Sequence, residues 1–163
     1  MGRLILLRHG KAEPDSETGE DFDRRLASRG ERESAAMGRR LADVGYVPNL
    51  ALVSPAARAR GTWEAASEAF PEVEVRFDDS LYHADSVTIR RAAERALETH
   101  ENVMIVGHNP GLQELTLALL HQESPTAALQ SRAQTNFPTA TAAVFLIYPD
   151  GRIYSDGLFF PER

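Results

Sequence analysis

Apolar residues along the chain gather into short continuous runs, and these alternate with longer stretches of helical spacing. Leu4-Ile5-Leu6-Leu7 is apolar at every position, which suits a strand covered on both faces. Ser28-Arg29-Gly30-Glu31 has capping-box spacing, and Met37, Leu41 and Val44 then recur at helical intervals up to Gly45, a C-cap residue. Leu50-Ala51-Leu52-Val53 reads as a second strand. Pro55 suits the first position of the next helix, whose buried stripe is marked by Trp63, Ala66 and Phe70. Val73, Val75 and Phe77 alternate with charged residues, so a third strand is predicted to keep one wetter face. Ser86 can cap a helix carrying Ile89, Ala93 and Leu97. Val103–Val106 reads as a fourth strand, and Leu112–Leu120 as a short apolar helix. Residues 121–141 lack periodicity, and a connection that long is uncommon unless functional. Ala142–Tyr148 and Ile153–Phe160 read as strands joined through Pro149-Asp150-Gly151, a hairpin signal.

This alternation predicts an α/β fold, a three-layer α/β/α sandwich with a mainly parallel central sheet. At 163 residues, with no repeat or linker-like tract, the chain is expected to form a single domain over 1–163. The 42% hydrophobic and 26% charged residues exclude bulk disorder. With no cysteine, disulfides, thiolate metal sites and cysteine nucleophiles are excluded. A net charge of −6 argues against nucleic acid as a partner. The apolar runs fall far short of the ~20 residues needed to span a bilayer, and the first residues carry no secretory signal pattern. The expectation is a cytoplasmic protein with no membrane partner. Of the 18 basic residues only Lys11 is Lys, so the rest are Arg. Arg is the better fork for carboxylate or phosphate, although base composition produces the same bias.

In parallel α/β folds, ligands collect beyond the carboxyl ends of the strands. Three segments qualify: Arg8-His9-Gly10, Ser54-Pro55-Ala56-Ala57-Arg58 and Gly107-His108-Asn109-Pro110-Gly111. Together they supply two Arg, two His and turns next to helix starts, and nothing acidic. Such a set suits a phosphate dianion, through Arg forks and the amide donors of a helix N-terminus. A neutral imidazole in that field can attack phosphorus and hold the phosphoryl group covalently. Nearby Arg charges keep it unprotonated, and the hydrogen bond made by one ring nitrogen decides which other nitrogen attacks. Taken singly, each segment is equally an ordinary strand end or first helical turn. Only their shared position makes the set specific.

These segments resemble the histidine phosphatase (phosphoglycerate mutase-like) superfamily: Arg8-His9-Gly10, then Ser54-Pro55 with Arg58, Ala59 and Thr62, then Gly107-His108-Asn109-Pro110-Gly111. The stretch from Arg8 to Glu13, the run Asp23–Gly30 and Phe137-Pro138-Thr139-Ala140 are similar to its short branch of SixA-type phosphohistidine phosphatases. The resemblance implies a phosphoglycerate mutase-like fold, with His9 as nucleophile and Arg8, Arg58 and His108 binding the phosphoryl oxygens. It implies no metal and no cofactor. Position 25 is Arg where that branch often has Pro.

The leaving group separates the readings. Alcohols need protonation, so monoesterases profit from a positioned acid, which larger members take from an extended segment after the third strand. Here Asp78–Ser86 is short, and Asp78, Asp79, His83 and Asp85 are its acid candidates, each equally a loop or capping residue. Phosphohistidine expels imidazole and can react without a dedicated acid. The first expectation is therefore a phosphohistidine phosphatase whose partner is a histidine-phosphorylated signalling protein. The alternatives are a phosphatase of small phosphate monoesters with Asp85 or a neighbour as acid, and a non-catalytic phosphate-recognition module. No HExxH or comparable metal-ligand spacing is present.

Overall fold

The computed structural model describes residues 1–123, 132–134 and 136–162. Its strands are β1 (Gly2–Arg8), β2 (Leu50–Val53), β3 (Glu74–Phe77), β4 (Asn102–Gly107), β5 (Ala142–Ile147) and β6 (Ile153–Phe159). Its helices are α1 (Ser28–Asp43), α2 (Ala57–Ser67), α3 (Ser86–Leu97) and α4 (Gly111–Glu123). The strands form one six-stranded sheet in the order β3-β2-β4-β1-β5-β6. β1 to β4 are parallel to one another, whereas β5 runs antiparallel to both β1 and β6. The predicted α/β sandwich with a mainly parallel sheet is the architecture observed.

Period-two alternation of side chains divides the core between the two faces. Leu4, Leu6, Leu52 and Ile105 pack with Ile89 and Ala93 of α3 and Leu112 and Leu115 of α4. Ile5, Leu7, Val53 and Val106 pack with Met37 and Leu41 of α1 and Trp63 and Ala66 of α2. Both faces are covered, which is why the central strands read as apolar throughout. At the edge, Val73 and Val75 pack against the second of these clusters. Phe77, expected on the same face, is 55% exposed where β3 meets the last residue of β2.

Helix starts depart from the sequence expectations. The Ser28 capping box does not form: Ser28 is already helical, and Ala27 at the N-cap makes no side-chain cap bond. Docking sets this start instead. The Ala27 amide donates to the Lys11 carbonyl at 2.8 Å, and a Cβ on Gly30 would lie 2.2 Å from that same oxygen. Pro55 is not the first residue of α2, which begins at Ala57, so Pro55 and Ala56 form the turn after β2. Asp85, not Ser86, caps α3. In the stretch 121–141, α4 runs on to Glu123, Arg132–Gln134 are helical and Phe137 is buried; 124–131 and 135 lie outside the described residues. The β5–β6 hairpin turns at Gly151, whose φ of +90° favours glycine.

Register brings the site together. Arg8 lies beside Gly107 and Val53 beside Val106, so β1, β2 and β4 end at one level. His9, Ser54 and His108 are the next residues along each chain.

Candidate active site

His9 leaves β1 with its backbone amide bonded to the Gly107 carbonyl at 3.0 Å. Its side chain is 9% exposed, and Nδ1 lies 2.8 Å from the Gly10 carbonyl oxygen. A carbonyl only accepts, so Nδ1 carries the hydrogen and Nε2 keeps a free lone pair. His108 leaves β4 with its ring centroid 5.1 Å from that of His9. Its Nε2 is 2.8 Å from Ser54 Oγ, and Nδ1 is buried with no partner among the described residues. The Ser54 hydroxyl can donate to or accept from Nε2, and the tautomer in which it donates leaves Nδ1 as the N–H.

The two predicted arginines join this pair. Arg8 donates from Nη1 to the Phe137 carbonyl at 2.9 Å. Arg58, in the first turn of α2 and 5% exposed, donates from Nη1 to the Asp21 carbonyl and from Nη2 to Asp21 Oδ2, at 2.9 and 3.0 Å. The Nε atoms of both arginines are buried and unpartnered among the described residues. Thr62 ties the first turn of α2 to the loop after β1: its hydroxyl donates to the Arg58 carbonyl and accepts from the Gly10 amide.

Burial lowers the pKa of His9 to about 4, with the positive charges of Arg58, Arg8 and Arg24 adding to it and the Gly10 hydrogen bond opposing it. Burial also lowers His108 to about 3, reinforced by His9, Arg58 and His83 and opposed by Asp21. Both imidazoles are therefore neutral near pH 7.

The carboxylate candidates go elsewhere. Asp85 accepts from the Thr88 amide at 2.8 Å as the α3 N-cap, and that bond holds its carboxyl below the usual range. Asp78 accepts from the amide and hydroxyl of Ser80, capping the short 3₁₀ turn Asp79–Leu81. Asp79 is exposed. His83 alone of the four faces the site: its ring lies 3.9 Å from that of Tyr82, which meets His108 edge-on at 5.6 Å. Arg25 and Arg60 line a separate groove with Glu13, Asp15 and Asp23.

Two residues of the site escaped the sequence reading. The three strand ends contribute nothing acidic, yet Asp21 reaches Arg58 from the polar stretch after β1, where no periodicity marks a position. Tyr82, in the connection after β3, donates its hydroxyl to Asp21 Oδ2 at 2.7 Å.

The sequence profile of the histidine phosphatase superfamily (branch 1) matches residues 4–86, which include Arg8, His9, Asp21 and Arg58. The chain belongs to this superfamily. An uncharacterised chloroplast protein of Arabidopsis thaliana is 30% identical over 98% of this chain and 78% of its own length. Among superfamily structures, a protein of Agrobacterium tumefaciens assigned as the phosphohistidine phosphatase SixA superimposes with a TM-score of 0.85. It is 32% identical, and the match covers 98% of both chains. The protein histidine phosphatase SixA complexed with tungstate shares the fold at a TM-score of 0.80 and 24% identity, over 98% of this chain and 97% of that one.

Proposed function

We propose that this chain is a phosphohistidine phosphatase that removes the phosphoryl group from a histidine-phosphorylated protein, without a metal, through a phosphohistidine on His9. One observation carries the reading. A neutral imidazole with a free Nε2 stands at the strand ends beside His108, in the positive field of Arg58 and Arg8. Such a field suits a phosphoryl dianion, whose oxygens match the guanidinium forks. In the first step the Nε2 lone pair forms a bond to phosphorus while the substrate's P–N bond breaks, and the departing imidazole takes a proton from water. In the second step water attacks phosphorus, the P–Nε2 bond breaks, and inorganic phosphate leaves with His9 restored. The guanidinium groups supply the charge stabilisation that such transfers need.

The leaving group follows from the carboxylates. Asp85 is engaged as a helix cap and Asp21 is held ionised by Tyr82 and its two arginines, so neither is a proton donor near pH 7. The carboxylates thus favour imidazole over an alkoxide, with His83 the acid candidate left beside the site, and the similarity to the Agrobacterium protein points the same way.

Quenching turnover of a phosphohistidine protein, or of phosphoramidate, should trap an acid-labile, base-stable phosphoprotein that His9→Ala abolishes, in buffer containing EDTA. Label persisting in His9→Ala removes the nucleophile assignment, and activity lost to EDTA and restored by added metal removes the metal-free mechanism.

A further inference from the structure

Arg58 can stabilise a transferring phosphoryl group only if the plane of its guanidinium is fixed, and an Arg side chain has many rotamers to lose. Thr62 fixes its backbone. What fixes its head is Asp21, which takes one hydrogen from each terminal nitrogen and leaves Nε unpartnered among the described residues. Asp21 belongs to a 3₁₀ turn, Asp21–Asp23, with no buried residue, so packing alone does not set its position. Polar contacts do. Oδ1 accepts from Arg24 Nε at 3.0 Å, and Oδ2 accepts from Tyr82 Oη as well as from Arg58. Arg24 in turn donates to the Glu13 carbonyl, and the Tyr82 ring is wedged between Phe22 and His83.

From this arrangement, and resting on the phosphatase reading above, we infer that Asp21 is a positioning residue for Arg58, with Tyr82 as its anchor. Asp21 touches neither the reacting phosphorus nor the leaving group, and it acts through the guanidinium. Charge and geometry predict opposite signs for its removal. Deleting a carboxylate beside two cations should tighten anion binding by Coulomb attraction alone, whereas deleting a brace should loosen the transition state. The Asp21 side chain is 46% exposed, so water and salt screen its charge. The buried Arg58 head also lies over the Tyr82 ring, 5.9 Å from its centroid, but its terminal nitrogens are hydrogen-bonded to Asp21, so orientation dominates.

The test is a double-mutant cycle with phosphoramidate as substrate and orthovanadate as a transition-state-like inhibitor. Asp21→Ala should lower kcat roughly ten- to hundredfold, as small misplacements do, with KM little changed and orthovanadate inhibition weakened alongside kcat/KM. Tyr82→Phe, which deletes one hydroxyl, should show a smaller loss of the same kind. Neither change should lower activity further in an Arg58→Ala background. Unchanged kcat, tighter orthovanadate binding, or losses that add to that of Arg58→Ala would overturn the inference. Should Asp21→Ala fail to fold, Tyr82→Phe carries the same cycle. Wild-type protein inert toward phosphoramidate and phosphohistidine, or indifferent to His9→Ala, would instead sink the phosphatase reading itself.

Discussion

Two positions along a helix turn a side chain through about 200°, and on α2 that rotation separates Arg58 from Arg60. The first is buried against Asp21 beside the two imidazoles, and the second is exposed in a groove with Glu13, Asp15 and Asp23. Arg58→Ala should therefore cost ~2–4 kcal/mol of transition-state stabilisation, the loss typical of one preorganised donor, while Arg60→Ala leaves kcat/KM nearly unchanged. Equal losses would mean that both side chains serve the substrate. His9, Arg58 and His108 were legible in the sequence because each stands at or just past an apolar run, where parallel sheets collect ligands. Asp21 was not, because its neighbours from Glu13 to Arg25 carry no apolar period. Only the fold brings it to Arg58.

At the scale of elements, the strands were plain and the helix starts were not. Central strands betray themselves by burial on both faces, as Ile5 and Leu6 do by pointing into opposite cores. Helix starts are decided by smaller energies that tertiary contact overrides, as the docking of Gly30 against Lys11 overrides the capping spacing at Ser28. Asp85 shows the consequence for function. As a charged residue after the third strand it stood as a candidate acid, and in the structure it accepts from the Thr88 amide to cap α3. Asn caps a helix about as well as Asp, and Ala does not. Asp85→Asn should therefore keep both phosphohistidine turnover and stability, whereas Asp85→Ala should lower the urea midpoint and leave kcat largely intact. A hundredfold fall in turnover for Asp85→Asn, with its urea midpoint unchanged, would restore a proton-donor role and with it the monoester reading.

Across the whole molecule the net charge is −6, yet burial, with the positive charges of Arg58, Arg8 and Arg24 added to it, keeps His9 neutral. That environment has a consequence for stability. In the unfolded chain an imidazole titrates near its ordinary value of about 6.5, while folding lowers His9 to about 4 and His108 to about 3. Between those values the unfolded state binds protons that the folded state refuses, so stability must fall as the pH drops below about 6.5 and level off near 3 to 4. Above pH 7 the two histidines contribute no slope. Each imidazole can add up to ~1.4 kcal/mol per pH unit within the window, on top of whatever the carboxylates add lower down. Urea unfolding of wild type, His9→Gln and His108→Gln between pH 7.5 and 4.5 isolates this part, because the carboxylate background is common to all three. Wild type should lose stability more steeply than either variant as pH falls, and bound orthovanadate should flatten the wild-type curve, since an anion in the site favours protonated imidazole. Parallel curves for all three proteins would mean that the folded site accepts protons as readily as the open chain, and the proposed role of His9 as a neutral nucleophile would lose its physical basis.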